Sequence, residues 1–424
     1  MIEPAKPSSQ IQVLLVGAGV VGRAIALDHL LAGIPVWMAD RDLSTLSESC
    51  DWVLQRSNST AESASPWGAR IDLPIVCIRP TELISMESPD VPQWLVIESI
   101  AEKLEIKQAF FADAETWFDR PPILTTNTST LSINQIASSM TSPERLCGLH
   151  FFMPVVDRHA AEIIPNINTA PDVTQGCQQH AQRLSKSPLL VADGPGFVVN
   201  RMLSPYLNLA MSLLCEGVSA DIIEQAARRY GMPMSPLSLV DLIGPRTAFD
   251  GGRIVWQAFP QRMDPSPLLP AIVKRKIPGV SGGNGFFTYD SKGNRVGNAL
   301  TAEVTELTQR YQRNSFPMEN RSDTEIAERV AELFAAVMRL EAIAIERDGI
   351  ADAPTIDAAM RGGLGWRSDE KFPEDIDPNS IDSSEVWPNE SWPSNETPIT
   401  CISEQRVTQL ATEHPNIKSV QPLI

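Results

Sequence analysis

"IQVLLVGAGVVGRAIALDHLLAGIPVWMAD", residues 11–40, decides the fold. Its first six letters form a short continuous apolar run, the pattern of a strand buried on both faces. "GAGVVGRAIALDHLLAG" opens on glycines and then carries apolar residues at helical spacing, and "IPVWMAD" is a second buried strand. A strand, a helix and a second strand in this order predict a doubly wound parallel sheet.

Gly17, Gly19 and Gly22 fit the pattern G-x-G-x-x-G. The first allows a tight turn, the second lets backbone approach a pyrophosphate, and the third lets the helix pack closely on the strand. Amide groups at the helix start then face the phosphate charge. Glycines in any strand-to-helix turn can imitate the motif, so the context decides. Here a strand precedes it, a helix follows, and Asp40 ends the next strand. A carboxylate in that place accepts from ribose hydroxyls and repels a 2′-phosphate, which favours NAD over NADP. The adjacent Arg41 softens that preference.

The alternation runs on to about residue 192. "LQRSNSTAESASPWG" reads as a loop, while "DLPIVCI", "QWLVIESI", "PPILTTNTSTLS", "RLCGLHFF" and "AAEIIP" read as strands, with helices at "EKLEIKQAFFADAETW" and near 172–185. These predict an α/β Rossmann-like domain over residues 11–192, after a flexible lead at 1–10. From "GFVVNRMLSPYLNLAMSLLCEG" onward the periodicity is helical, giving a first all-α domain at 193–290, a linker at 291–322 and a second all-α domain at 323–368. "CEGVSADIIEQAARRYG" and "RDGIADAPTIDAAMRGG" share a long helix, a Gly, a short loop and an Ile-acid-x-Ala helix, so the two all-α domains read as a divergent tandem repeat. Residues 369–424 are acidic and rich in Pro and Ser, the composition of a disordered tail.

A chain of 424 residues, 43% hydrophobic and 21% charged, can bury two or three cores. Its net charge of -17 disfavours nucleic acid and anionic membrane as partners. The six cysteines are scattered, without the close pairs of a zinc site or redox couple, and are expected as reduced thiols in a cytoplasmic protein. No apolar run approaches the roughly 20 residues needed to span a bilayer.

Taken together, "VGAGVVG", "LVIESIAEKLEIK", "NTSTLSI", "PERLCGLHFFMPV", "AEII", "GPGFVVNRMLSPYLNLA" and "YGMPMSPLSLVDLIG" resemble the 3-hydroxyacyl-CoA dehydrogenase family, in the family's order. The match spans about 11–290, and residues 323–366 look like the second C-terminal domain of the large fatty-acid-oxidation enzymes, without their hydratase domain. The resemblance implies NAD-dependent oxidation of a 3-hydroxyacyl-CoA thioester. A separate enoyl-CoA hydratase or thiolase is then a plausible partner, and the chain a monomer or a homodimer. Oxidising the 3-hydroxyl needs a base tuned near neutral pH on its proton. His150 falls at the family's catalytic base, and Glu162, 12 positions later, at its orienting acid. Ser129 and Asn200 match the polar contacts to the substrate oxygen and thioester carbonyl. Glu98 and Lys107 are placed along the cofactor, and Asn127 near its nicotinamide end. On the residues alone, His150 also reads as an ordinary buried histidine, Asn200 as a helix cap, and His159 as part of a solvated turn.

The chain also departs from the family pattern. After the histidine the family has H-F-F-N-P-V, and here Met153 replaces the Asn, removing two donors and an acceptor beside the reacting carbon. No lysine lies between Arg41 and Lys103, where relatives use a basic helical hairpin toward CoA; Arg56, Arg70 and Arg79 are the available cations. Two further readings follow: an NAD-binding scaffold or regulatory subunit with little turnover, and a dehydrogenase of a free 3-hydroxy acid.

Overall fold

The computed structural model describes residues 11–64, 75–77, 93–313, 316, 320–367 and 404–414. The chain divides into two compact units, Met1–Gly194 and Pro195–Ile424.

The first unit is built on one sheet. Its elements are β1 (Gln12–Val16), α1 (Val20–Leu31), β2 (Val36–Ala39), α2 (Leu43–Ala64), β3 (Ile75–Cys77), β4 (Trp94–Glu98), α3 (Leu104–Ala114), β5 (Ile123–Thr126), α4 (Ile133–Ala137), β6 (Leu146–Phe151), β7 (Ala160–Pro165), α5 (Pro171–Arg183) and β8 (Ser187–Leu190). The spatial order is β3-β2-β1-β4-β5-β6-β7-β8. Strands β1 to β6 pair in parallel, β7 turns antiparallel to β6, and β8 runs parallel to β7. Val13, Leu14 and Leu15 of β1 are sealed from solvent, which is why the strand reads as an unbroken apolar run. The order of the parallel strands reverses between β1 and β4, and that reversal opens a crevice at their carboxyl ends.

One expectation fails in this unit. Residues 54–64, read as the start of a loop, continue α2. Leu46, Cys50 and Val53 recur at helical spacing and are buried, and tertiary burial of that face overrides the poor helix propensity of the serines. Arg70 and Arg79 lie outside the described residues. Cys50 is disulfide-bonded, which corrects the expectation of six reduced thiols; Cys147, Cys177 and Cys215 are free and buried.

The second unit contains α6 (Val199–Cys215), α7 (Ala220–Arg229), α8 (Pro236–Ile243), α9 (Pro245–Ala258), α10 (Leu268–Lys274), the two-stranded β9 (Thr288–Tyr289) and β10 (Arg295–Val296), α11 (Ala302–Arg310), α12 (Asp323–Arg347), α13 (Ala353–Ala358) and α14 (Glu404–Glu413). Helix α12 begins on a capping box between Ser322 and Glu325 and packs against α6 and α7. Gly217 after α6 and Gly349 after α12 both take positive φ, and Ser219 and Asp352 cap the helices that follow. Helix α11 falls inside the stretch expected as a linker. The tail expectation is corrected over residues 404–414: Leu410 of α14 is fully buried, Arg406 bonds Glu332 of α12, and Arg329 pairs with Glu413. These contacts give a weakly apolar segment the partner it lacks alone. Among the described residues, no helix is long and apolar enough to cross a membrane.

The core of the first unit holds two histidines. His29 of α1 donates from Nδ1 to the Ile25 carbonyl at 2.7 Å, so its Nε2 accepts from His180 Nε2 of α5 at 2.9 Å. Burial pushes His29 down to about 4 and His180 well below the usual range, so both are neutral in the folded state. As pH falls below 6.5 the unfolded chain takes up protons that this pair refuses, and stability drops by about 1.4 kcal/mol per pH unit per proton. Asp28 acts in the opposite sense: burial raises it to about 6 against 3.8 when unfolded, so in that window the folded state holds an extra proton. The histidine pair should therefore lower the urea midpoint between pH 6.5 and 4, and His180→Met should make its fall smaller, or its rise larger, than in the parent over that range. A slope that survives the substitution would assign the acid sensitivity to other groups.

Candidate active site

The carboxyl ends of β1, β4, β5 and β6 share one edge of the sheet. At β1, Gly17 has φ +104, and a Cβ there would lie 2.3 Å from the Ser99 carbonyl oxygen. A Cβ on Gly22 would lie 1.9 Å from the Gly17 oxygen, so the third glycine is needed for close packing of α1. A Cβ on Gly19 would meet nothing within 4 Å: this face of the loop is open, as backbone approach to a pyrophosphate requires. Gly19 is also the N-cap of α1, with no side chain to occupy the helix's first amides. Asp40, just past β2, accepts from the Ala18 amide at 2.7 Å and the Asp42 amide at 2.9 Å, tying the glycine loop to the second strand. The loop, the helix dipole and the acid together fit a dinucleotide.

Glu98 ends β4 and is fully buried. Burial pushes its carboxyl above the usual carboxylate range, and the Lys107 ammonium, 2.5 Å from Oε1, opposes that rise. Thr126 donates to Oε2 at 2.6 Å and the Ile100 amide to Oε1 at 2.7 Å, so the carboxylate is met from three sides. Lys107, on α3 and equally buried, also pairs with Glu102 at 3.2 Å. Glu102 was not singled out from sequence, yet it reaches the loop after β5. Its Oε1 accepts from the Thr128 hydroxyl at 2.5 Å, the Ser129 amide at 3.1 Å and the Thr130 hydroxyl at 3.2 Å. The signal was present as Glu98, Glu102 and Lys107, which place two acids and a cation around one strand-to-helix turn. Glu98 and Lys107 thus form the buried base of a loop that Glu102 holds, with Ser129 half-buried on it.

His150 and Glu162 stand directly opposite each other in the antiparallel register of β6 and β7. Their side chains meet at 2.7 Å, Nδ1 to Oε2, with Glu162 fully buried and His150 nearly so. The carboxylate requires the proton on Nδ1, which places the lone pair of a neutral ring on Nε2. Phe152 lies edge-on to the ring at 5.1 Å. Asn127, one residue past β5, accepts from the Phe151 amide at 2.9 Å, so it is coupled to the strand that carries His150.

The turn between β6 and β7 is built around a cis Met153–Pro154 bond. Lys186, buried, donates to the Val155 carbonyl at 2.8 Å and the Arg158 carbonyl at 2.7 Å, and pairs with Asp28 of α1 at 3.1 Å. Met153 sits on this anchored turn with 38% of its surface exposed. His159 is exposed, away from the buried pair. Arg56 stacks over Trp52 at 4.1 Å. Asn200 lies in the first turn of α6 in the second unit, where its carbonyl accepts from the Ser204 hydroxyl at 2.7 Å. The first unit therefore brings together His150, Glu162, Asn127, Ser129, Glu98 and Lys107 at one sheet edge, with the glycines and Asp40 along the same edge.

Residues 12–194 match the family model described as the NAD-binding domain of 3-hydroxyacyl-CoA dehydrogenase, and residues 196–289 match its C-terminal domain. Among solved structures, the chain is similar to 3-hydroxybutyryl-CoA dehydrogenase from Escherichia coli, at 25% identity and a TM-score of 0.67 over 85% of this chain and 90% of that one. It is also similar to (S)-3-hydroxybutyryl-CoA dehydrogenase from Ralstonia eutropha, at 26% identity and a TM-score of 0.58 over 67% of this chain and all of that one. The dehydrogenase part of a multifunctional enzyme from C. elegans, 23% identical with a TM-score of 0.58 over 85% of this chain and 79% of that one, shares the fold.

Lys107→Met would leave Glu98 buried without its cation. A loss of about 3–5 kcal/mol in unfolding free energy is expected, and the double variant Glu98→Gln/Lys107→Met should recover most of it. Denaturant titration of the three proteins checks both statements, and equal midpoints for the single variant and the parent would contradict the pairing.

Proposed function

Because the chain belongs to the 3-hydroxyacyl-CoA dehydrogenase family, we propose that it oxidises (3S)-3-hydroxyacyl-CoA thioesters to 3-ketoacyl-CoA with NAD. The observation that carries this reading is the 2.7 Å contact between His150 and a fully buried Glu162 at the carboxyl edge of the sheet. NAD, when bound, supplies the hydride acceptor.

The chain's own residues do the rest. His150 takes the hydroxyl proton at Nε2, and the imidazolium so formed is stabilised by Glu162 on the other nitrogen. Ser129, on the loop held by Glu102, donates toward the substrate oxygen, and Asn200 toward the thioester carbonyl. Gly17, Gly19 and Gly22 hold the pyrophosphate, Asp40 the adenosine ribose, and Asn127 the nicotinamide end. Glu98 and Lys107 support the cofactor side of the crevice. The two helical units of the C-terminal half are read as divergent duplicates, α6 with α7 and α12 with α13. A second covalent copy can cover apolar faces that single-unit relatives cover by dimerising, so the chain is proposed to be a monomer. It would act beside a separate hydratase or thiolase in β-oxidation or short-chain acyl metabolism.

Met153 favours a second reading of the substrate. A thioether replaces an amide on the turn that follows the base, so the site suits an acyl group, or a free 3-hydroxy acid, that asks for no hydrogen bond there.

NADH consumption with acetoacetyl-CoA, longer 3-ketoacyl-CoAs and free acetoacetate tests these readings: thioester turnover supports the first, turnover of acetoacetate alone the second. No turnover of any of them by folded, NADH-binding protein would leave the low-turnover scaffold. His150→Ala should lower kcat by about 10²–10⁴-fold and leave NADH affinity within about twofold. Met153→Asn should raise kcat/KM for acetoacetyl-CoA by roughly tenfold or more, the worth of one hydrogen bond to a charged or charging group.

A further inference from the structure

Lys186 and Asp28 form a buried ion pair of the first unit, outside the groups assigned to the chemistry. The lysine's backbone is fixed by the end of α5. Ser185 takes φ 57, its amide donates to the Gln182 carbonyl at 2.9 Å, and the Lys186 amide donates to the Ala181 carbonyl at 3.0 Å. These are the two bonds of a Schellman motif, with Ser185 in the left-handed position that glycine usually takes. The lysine side chain therefore leaves from a fixed point. Its ammonium donates to the Val155 carbonyl at 2.8 Å and the Arg158 carbonyl at 2.7 Å, and pairs with Asp28 of α1 at 3.1 Å. The next residue, Ser187, gives its amide to the His159 carbonyl at 2.7 Å. Two consecutive residues thus hold three carbonyls of the connection between β6 and β7.

That connection depends on an outside anchor. A two-residue turn between antiparallel strands sets its own geometry, whereas residues 152–159 separate β6 from β7. Pro154 brings no N–H to the connection. The Asp157 amide reaches the Pro154 carbonyl at 3.2 Å and the Arg158 amide the Val155 carbonyl at 3.4 Å, both at or beyond the long end of the usual range. Arg158 Nε also donates to the Met153 carbonyl at 3.3 Å, so the residue that Lys186 holds by its carbonyl holds Met153 in turn. At the other end of this path, Phe152 lies edge-on to the His150 ring at 5.1 Å.

We propose that Lys186 and Asp28 are positioning residues for the reaction: the ammonium, met by an acid of the nucleotide helix, sets the path of residues 152–158, and so the placement of Phe152 against the base and of Met153 beside it. Neither residue touches substrate. This inference rests on the dehydrogenase reading of His150.

The anchor is removed by Lys186→Met with Asp28→Leu, which takes out both charges together and leaves neither buried alone. Two measurements are made on this variant and the parent. In the first, without cofactor or substrate, the ring-proton resonances of His150 are followed by NMR, assigned through His150→Gln and compared with those of Phe152→Leu. Removing the anchor should move them from their parental positions toward those of Phe152→Leu, because the neighbouring ring is no longer held edge-on. In the second, kcat and KM for acetoacetyl-CoA are measured beside NADH affinity and thermal midpoint. The loss should fall on kcat, by about tenfold to a hundredfold, the scale of a small misplacement remote from the chemistry, with NADH affinity within about twofold. A lower thermal midpoint with parental His150 resonances, or with parental kcat, would reduce the pair to a structural one and overturn the proposal. If the double substitution does not fold, Lys186→Gln is one bond shorter and uncharged, and falls short of the two carbonyls; it should show part of both changes, and full activity in it overturns the proposal equally. A parent protein that turns over no thioester would instead bring down the dehydrogenase reading and the kinetic role with it, while the His150 resonances would still decide whether the anchor places Phe152.

Discussion

A charge taken out of water must be met at hydrogen-bond distance, and among the described residues several buried ionisable groups meet an ionisable partner. Glu162 has His150, Glu98 has Lys107, Asp28 has Lys186, and Arg201 has Glu341 and Asp348. Such pairs contribute little net stability, since desolvation consumes most of the attraction, but breaking one is severe. Their consequence is geometric: each fixes the side chain or turn beside it in one arrangement.

The two arms of the candidate site use this constraint differently. On the cofactor side, Glu98 and Lys107 are spent on each other, and Glu102 passes the restraint outward to the Thr128–Thr130 backbone and hydroxyls. Between β6 and β7 the restraint falls on a ring instead: Glu162 accepts from Nδ1 of His150, which leaves the lone pair of the neutral ring on Nε2. Lys186 adds a third arrangement, using one ammonium to hold two carbonyls of the Met153 turn and an acid of the nucleotide helix.

How much of this was legible depended on the distance along the chain over which each feature is written. The β1–α1–β2 start was readable because burial on both faces and three glycines lie within one short segment. His150 and Glu162, 12 residues apart, were readable as neighbours because a single turn joins their strands. Glu102 needed the three-dimensional path of the β5 loop, 26 to 28 residues away. Arg201 and Glu341 are 140 residues apart, too far for any local pattern to pair them. The helical continuation of α2 and the docking of α14 were missed for the opposite reason: their local composition argues against order, and only burial against α1 and α12 overrides it.

The histidines show why burial alone does not mark a base. His29, His180 and His150 are all buried in the same unit. His29 and His180 find only a carbonyl and each other, with no carboxylate to compensate a proton, so burial drives them toward permanent neutrality. His150 has Glu162 at 2.7 Å, and any positive charge it acquires is met at once. A neutral pair is a core contact that fails in acid, whereas a carboxylate opposite a histidine meets the charge of its protonated form. The sequence shows the same letter at all three of these positions; the residue opposite it, set by strand register in one case and by helix packing in the other two, separates the proposed base from the core contacts.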